Sequence, residues 1–299
     1  YDLNAKINHR ISPRDRIYLS AYMGNDAFGV DYDESKDSGG NDDSGVLNFG
    51  LGYGNITSTL RWNHLFSDKL FSNTTLTYSR YSFQTNFGLS ATDNTDLGQE
   101  LTNIDFDYLS GIEDLGGRID FDFSPNPNND IKFGISYTHH HFFPGENSLN
   151  YSINFPDLDT LNQDISIDTS LNFSGNTNVH EMFFYIEDNI NITNRLKANI
   201  GVHIGYYSLA KDTVTANSGL MKKIQDLDNY SFQPRISARY LLNDNWSVKA
   251  SYAEMQQNIH LLSNSSVGFP SDIWVPAIDS VPSQTSKQWA GNITTQLYN

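Results

Sequence analysis

The chain lacks three features that would assign it to common protein classes: cysteine, long apolar runs and an excess of basic residues. It contains no cysteine in 299 residues, which excludes disulfide scaffolds, thiolate metal sites and cysteine nucleophiles. No uninterrupted apolar run exceeds the five residues of 182–186, whereas a transmembrane helix needs about 20. A membrane-spanning helix is therefore excluded.

Positive charge is scarce. The chain has 19 Lys and Arg residues against 35 Asp and Glu, a formal net charge of −16. Contacts with nucleic-acid phosphates need clustered Lys and Arg, so no nucleic-acid partner is expected. The apolar fraction is only 38%, but the aromatic fraction is 13%. This combination favours a membrane β-barrel, which needs one apolar face and collects aromatic rings where lipid meets water.

Strand-like segments along the chain are joined alternately by short and long links. The short, polar links are residues 12–15, 67–69, 124–130, 193–195 and 243–245. The long links are residues 24–55, 87–106, 144–178, 208–229 and 257–284. A meander with tight turns at one edge and long loops at the other is typical of outer-membrane β-barrels. A soluble sandwich has no reason to sort its loops by length.

Most of the eleven strand-like segments alternate apolar and polar side chains with a period of two, the pattern of a β-strand with two different faces. In residues 196–207, Leu196, Ile200 and Ile204 fall on one face, and Lys197 and His203 on the other. Every residue on the second face of this segment is polar, charged or a glycine. Such a face needs water or a polar plug beside it, not a packed apolar core.

The acidic residues are concentrated in the long links, which hold 21 of the 35 acids and only 4 of the 19 basic residues. The acidity therefore belongs to one edge of the predicted sheet. A solvated loop surface that resists aggregation explains it. Contact with divalent cations or lipopolysaccharide at a bacterial cell surface is the alternative.

Both ends of the sequence fall inside strand-like patterns, at residues 1–6 and 294–299. We interpret residues 1–299 as a single partial β-barrel domain, an internal piece of a larger protein. A plug domain and an amino-terminal extension are absent from this chain on that interpretation.

Two parts of the sequence resemble a known family. The hairpin SFQPRISARY–LLNDNWSVKASY at 231–252 resembles barrel hairpins of TonB-dependent outer-membrane receptors. The segments QNIHLLSNSS at 257–266 and PSDIWVP at 270–276 are similar to versions from Bacteroidetes-type bacteria. Residues 61–75 and 185–188 carry the weaker, generic part of the likeness.

The resemblance implies a transmembrane antiparallel up-and-down barrel of about 22 strands around a plug, of which roughly 11 strands would lie in this chain. It also implies import of a scarce solute across the outer membrane, driven by the inner-membrane proton gradient through the TonB complex. The cargo would be an iron chelate, a vitamin, an oligosaccharide or a peptide. Outer-membrane lipid and lipopolysaccharide would surround the barrel, and a surface lipoprotein lid is a further candidate partner.

No catalytic, cofactor or metal site is predicted. The run of three histidines at 139–141 invites a metal, but neighbouring strand residues point to opposite faces, so His140 cannot join His139 and His141 at one ion. The acidic segment 31–43 has Lys36 where a calcium loop needs its glycine. The serines and histidines are scattered without a nucleophile elbow, and an enzyme is not expected.

The long link at 257–284 differs from the others because it is apolar and nearly uncharged, with three prolines. This composition predicts a folded, packed loop that covers the mouth of the barrel or docks on a plug. His260 and Trp274 are the predicted substrate contacts.

Two other functions remain open at this point. A passive porin or surface adhesin barrel needs the same strands but no energy coupling. A soluble all-β glycan-binding module would bury the apolar rows against a second sheet instead of exposing them to lipid.

Overall fold

The computed structural model describes residues 1–38, 41–95, 98–154, 166–173, 176–209, 227–263 and 272–295. These residues form fourteen strands: β1 (Asp2–Arg10), β2 (Asp15–Ser38), β3 (Asn41–Ser67), β4 (Leu70–Thr95), β5 (Gly98–Asn126), β6 (Asn129–Asn154), β7 (Ser166–Phe173), β8 (Thr177–Asn191), β9 (Leu196–Leu209), β10 (Leu227–Leu241), β11 (Trp246–Gln257), β12 (Ile259–Ser263), β13 (Asp272–Pro276) and β14 (Gln284–Thr295). Within these ranges, no helix is long and apolar enough to cross a membrane.

Eleven strands lie side by side in one antiparallel sheet, in the order β1-β2-β3-β4-β5-β6-β8-β9-β10-β11-β14. Strand β7 pairs with β6 beyond the end of β8, and β12 pairs with β13 in a separate ribbon. The predicted all-β, up-and-down antiparallel architecture with about 11 strands is therefore confirmed. In the described part of the chain, β1 and β14 each pair with one neighbour only.

The five short links form tight turns at one edge of the sheet, as predicted. The last paired residues beside them are Arg10↔Arg16, Ser67↔Leu70, Asn126↔Asn129, Asn191↔Lys197 and Leu241↔Ser247. Because consecutive strands are antiparallel, these turns all lie at the same edge, which we call the turn edge.

Two of the long links are not loops but continuations of their strands. The β2–β3 pairing runs from Asp15↔His64 to Ser38↔Asn41, and the β4–β5 pairing extends to Thr95↔Gly98. The 24 residues of β2 correspond to about 80 Å of extended chain, while the apolar band of an outer-membrane barrel is about 25 Å tall. The prediction of loops at 24–55 and 87–106 was wrong. In these links, backbone pairing continues and extends each strand pair into a long hairpin. Because the strands are longer than the apolar band is tall, the hairpins extend beyond it.

The two faces of the sheet differ as the period-two pattern predicted. On the outer face, Ile200 is 50% exposed, Phe184 44% and Ile186 42%, without a second layer covering them. On the inner face, polar side chains bind one another. His203 Nε2 lies 2.9 Å from Glu187 Oε1, and Arg118 Nε lies 2.7 Å from Asp120 Oδ1. Exposed apolar side chains in this pattern are stable only against hydrocarbon.

Aromatic rings form a belt on the outer face near the turn edge. His64 and Phe66 are 4.4 Å apart between ring centroids, Phe66 and Phe121 6.4 Å, and Phe121 and Phe133 5.0 Å. The belt crosses β3, β5 and β6, at the level where aromatic girdles meet the lipid head groups.

Near the long links, several aromatic side chains lie on the inner face and not in an outer belt. Among Tyr81, Phe83, Phe142 and Tyr207, Phe83 is 1% exposed, Phe142 0% and Tyr207 1%. Ile112 is paired with Tyr81 on one side and with Phe142 on the other. Directly paired residues point to the same face, so these three side chains share the inner face. Their burial needs a cover inside the sheet, described below.

The turn before β2 is fixed by Asp15. The Ser12 hydroxyl donates to Asp15 Oδ2 at 2.6 Å, His64 Nδ1 lies 2.6 Å from Oδ1, and Trp62 Nε1 donates to Oδ1 at 3.1 Å. Asp15 thereby joins the first turn to the aromatic belt.

A charge on the outer face should destabilise the barrel much more than one on the inner face. We expect Ile204→Arg in the intact protein to lower the free energy of unfolding from lipid vesicles by about 2–4 kcal/mol, because Ile204 lies in the lipid-facing row between Phe184 and Phe232. Asn199→Arg, on the inner face of the same strand, is the control and should cost much less. Equal losses in urea unfolding would contradict the assignment of faces.

Candidate functional site

A ribbon of the chain folds onto the inner face of the sheet near the long links. The ribbon comprises residues 258–263 and 272–281, with β12 and β13 paired from Ile259↔Pro276 to Ser263↔Asp272. Strand β13 contacts β5 and β6. We call it the inner ribbon. Its residues belong to the long link 257–284, so the prediction that this link is folded and packed is confirmed for the described residues.

The inner ribbon covers an apolar cluster, which explains the buried aromatic residues of the inner wall. The cluster consists of Ile112, Phe142, Val179, Tyr207, Leu209 and Ala277, and Tyr81, Leu227, Ile259, Trp274 and Ile278 pack around it. Val179 and Ala277 are both fully buried. The inner wall is thus polar towards the turn edge and apolar beneath the ribbon.

Hydrogen bonds fix one end of the inner ribbon, where Asn258 and Ala277 are adjacent, to the wall. Asn258 Nδ2 donates to Glu181 Oε1 at 2.8 Å, and the Tyr207 hydroxyl donates to the Ala277 carbonyl at 2.8 Å. The Ala277 amide donates to the Asn258 carbonyl at 2.7 Å. Because Asn258 follows β11 and Glu181 lies on β8, the first bond spans the intervening strands β9 and β10.

Glu181 also belongs to a chain of ionisable groups on the wall. His140 Nδ1 lies 2.7 Å from Asp114 Oδ1, and His140 Nε2 lies 3.5 Å from Glu181 Oε2. His140 is 5% exposed. A histidine between two carboxylates holds both in place, so Asp114, His140 and Glu181 form a rigid base for the contact with Asn258.

The three consecutive histidines separate as strand geometry requires. His140 is on the inner face, whereas His139 stacks near His180 with ring centroids 5.0 Å apart, and Tyr137 Oη lies 2.8 Å from His180 Nδ1. Within the described residues, no group of three potential ligands is arranged to hold a metal ion.

The predicted substrate contacts His260 and Trp274 both lie in the inner ribbon, but not on the same face of it. Trp274 stands opposite Leu261, and His260 opposite Val275, so the two side chains point to opposite sides. Trp274 packs against Tyr81 at 6.5 Å between ring centroids, and His260 is 4% exposed. Their Nε1 and Nε2 atoms are buried and have no hydrogen-bond partner among the described residues.

Sequence reasoning missed a recess beside the inner ribbon. It has a volume of about 540 Å³ and is lined by Glu181, Phe183, Met255, Gln256, Gln257, Asn258, Ile259, Gln284, Thr285, Ser286 and Gln288. The run of three amide side chains at 256–258 was a visible signal. Its meaning depended on knowing that β14 brings Gln284 and Gln288 alongside it.

A second recess, of about 390 Å³, lies lower on the inner wall. Its lining is hydrophilic and consists of Arg61, Asn73, Thr75, Thr77, Gly116, Gly117, Arg118, Asp120, Ser136 and Thr138. Side chains of this kind can face water or a polar protein surface, which is the requirement for the inside of a barrel.

Comparison with known proteins identifies the family. A family model described as "TonB dependent receptor-like, beta-barrel" matches residues 2–291. The chain belongs to this family. Its strands are accordingly those of an integral protein of the bacterial outer membrane, and the resemblance to the TonB-dependent receptor family is confirmed.

Two solved receptor structures are similar to the chain at low sequence identity. The ferric-catecholate import receptor Fiu from Escherichia coli K12 is 12% identical, with a TM-score of 0.43 over 86% of this chain and 50% of that one. The ferric preacinetobactin receptor BauA from Acinetobacter baumannii is 11% identical, with a TM-score of 0.45 over 99% and 50%. The chain spans about half the length of these receptors. A comparison with curated proteins found no match.

Removal of the Asn258 side chain should release the inner ribbon. A hydrogen bond to a charged group contributes about 1.5–3 kcal/mol, so Asn258→Ala should lower hydrogen-exchange protection of residues 259–263 and 272–276 by about 10- to 150-fold. Asn199→Ala is the control, because it removes an amide from the same inner wall near the turn edge, where Asn199 bonds to Asn189 and not to the ribbon. Unchanged protection in Asn258→Ala would contradict the anchoring role.

Proposed function

We propose that this chain is part of a receptor that takes up a scarce solute across the outer membrane by TonB-dependent active transport. The observation that carries the proposal is the family match over residues 2–291, combined with a hydrophilic inner wall partly covered by the inner ribbon. The receptor is a transporter rather than an enzyme on this proposal.

Closure of the sheet requires further strands. Strands β1 and β14 each have one neighbour among the described residues, and an open sheet edge in hydrocarbon leaves backbone groups without partners at a cost of several kcal/mol each. We infer a complete barrel of about 22 strands, with this chain as one partial barrel domain. A plug domain and an amino-terminal extension that contacts TonB would lie in other parts of the protein.

The inner wall is suited to hold a plug and to form a passage when the plug moves. Pairs such as Arg118–Asp120 and His203–Glu187 keep charges on the wall satisfied without an apolar partner. Water and a polar plug surface can replace each other against such a wall at little cost in free energy. A packed apolar interior does not permit such an exchange. The solute would then move along the polar rows.

The inner ribbon lies where a solute would enter. We propose His260 and Trp274 as contacts for the solute or the plug, because His260 Nε2 and Trp274 Nε1 are buried without a hydrogen-bond partner among the described residues and an unpaired buried polar group costs about 1–3 kcal/mol. A ligand or plug group that forms hydrogen bonds with them would remove this cost.

The extended hairpins β2–β3 and β4–β5 supply the outer surface for other partners. They project beyond the lipid, whereas the belt of Phe66, Phe121 and Phe133 remains at the turn edge. We propose that outer-membrane lipid and lipopolysaccharide contact the lower outer face and that a surface lipoprotein lid, where one exists, docks on the hairpins.

Energy dependence decides between active import and a passive porin or adhesin. Cells lacking the receptor should lose growth on one limiting nutrient among ferric chelates, vitamin B12, oligosaccharides and peptides. Uptake of that nutrient by complemented cells should fall to the level of the deletion strain when TonB is inactivated or a protonophore collapses the gradient. General porin activity in the same cells is the control and should not change.

Uptake that continues at an unchanged rate without TonB would overturn active transport in favour of a passive pore. Extraction of the protein from cells without detergent would overturn the membrane assignment altogether, since a soluble glycan-binding module needs no lipid.

A further inference from the structure

The recess of about 540 Å³ beside the inner ribbon has a lining of unusual chemistry for an importer's inner surface. Its wall is formed by the end of β11, the start of β14, the first residues of the ribbon and the inner face of β8. Gln284, Ser286 and Gln288 share the inner face of β14 with Gln257 and Met255 of β11, because they stand opposite each other or two residues apart in the register.

Amide and hydroxyl groups supply nearly all of the polar atoms in the recess. Five lining residues are amides, namely Gln256, Gln257, Asn258, Gln284 and Gln288, and Thr285 and Ser286 add two hydroxyls. An amide side chain offers two donor hydrogens and an acceptor oxygen at neighbouring positions. A ligand hydroxyl also donates and accepts, so adjacent hydroxyls on one ligand can be matched in either direction.

The recess has no spare charge. Glu181 is the one ionisable residue among its lining residues, and it is already held by Asn258 Nδ2 at 2.8 Å and by His140 Nε2 at 3.5 Å. An anionic ligand would find no Lys or Arg there. It would also approach past long links that carry 21 acids and 4 basic residues, and like-charge repulsion slows such an encounter.

An aromatic ring provides the apolar part of the recess. Phe183 lies against Gly205 on the inner wall, where a Cβ added to Gly205 would sit 2.7 Å from Phe183 Cε1. Glycine at position 205 therefore lets the ring lie close to the backbone of β9. Phe183, Met255 and Ile259 line the recess together, giving an apolar surface with hydrogen-bonding groups beside it, the usual design of small-molecule sites.

Strands β11 and β14 are paired with each other along their whole length, from Trp246↔Thr295 to Gln257↔Gln284. The backbone groups between these two strands are therefore already bonded, and a ligand beside them is recognised through side chains.

We propose that this recess binds a neutral, hydroxyl-rich ligand, an oligosaccharide, with Gln284 and Gln288 as hydrogen-bonding residues and Phe183 as the packing surface. The inference rests on the proposed function, since it names the class of solute that the receptor would capture. An anionic ferric chelate is the excluded class, because the lining contains no Lys or Arg.

The test is a binding measurement on the intact receptor in detergent. The probes are an array of short neutral oligosaccharides, a library of short peptides and a ferric tris-catecholate. We expect one or more oligosaccharides to bind. Gln284→Ala and Gln288→Ala should each weaken that binding by about 2- to 13-fold, the range for one neutral hydrogen bond, and Phe183→Ala should weaken it further.

Asn199→Ala is the matched control. It removes an amide from the same inner wall near the turn edge, where Asn199 bonds to Asn189 at 2.8 Å, and it should leave oligosaccharide affinity unchanged. Heat-modifiable gel mobility checks that each variant is folded. Gln288→Glu, which keeps the size and adds a charge, is the second variant at the exposed position on β14.

Three results would overturn the proposal. In the first, no oligosaccharide of the array binds; in the second, the peptide or ferric probe binds and the glutamine variants weaken that binding. In the third, an oligosaccharide binds but none of the recess variants changes its affinity. These outcomes are separate from the test of active transport. TonB-dependent uptake of a ferric chelate or peptide would remove the oligosaccharide inference and leave active import standing, whereas TonB-independent uptake of an oligosaccharide would do the reverse.

Discussion

The structure depends on backbone pairing in a medium that offers no hydrogen bonds. In hydrocarbon, each N–H and C=O must find a partner within the protein, and eleven strands meet this requirement in one antiparallel order. The same pairing fixes which side chains face lipid, because a shift of one residue would exchange the two faces of a strand. The outer row of Phe184, Ile186 and Ile200 and the inner pair His203–Glu187 follow from that register.

Beneath the inner ribbon, the rule of polar inside and apolar outside is reversed. Phe142, Val179 and Tyr207 are apolar or aromatic and face inward, yet they are almost fully buried. They are stable there because Ala277 and its neighbours cover them and because the bonds of Asn258 and Tyr207 hold one end of the ribbon on the wall. The mouth of the barrel thus has a small core of its own, attached to a wall that is otherwise hydrophilic.

Much of the fold could be predicted from the sequence, and the site much less. Period-two alternation and link length are local signals, and they gave the strand order, the turn edge and the face of Ile200 correctly. The inner position of Tyr81 and Phe142 could not be read in the same way, because an aromatic residue near a strand end fits either a lipid girdle or a covered interior. Only the distant residues 258–281 decide between them. His260 and Trp274 could be recognised as parts of a folded segment from the composition of their own link. The contact between Asn258 and Glu181 could not be predicted in this way, because the two residues are 77 positions apart and no local pattern connects them.

Spin labels placed on the two faces of β9 test the central claim most directly, and the absence of cysteine allows single cysteines to be introduced without background. Labels at Ile204→Cys and Lys197→Cys in the intact receptor, embedded in lipid vesicles, are compared for collision with oxygen, which concentrates in hydrocarbon, and with a water-soluble nickel chelate. The account predicts that the label at 204 is relaxed mainly by oxygen and the label at 197 mainly by the nickel chelate. Similar accessibility of both labels to the nickel chelate would show that the outer face lies in water, and the membrane barrel would be wrong.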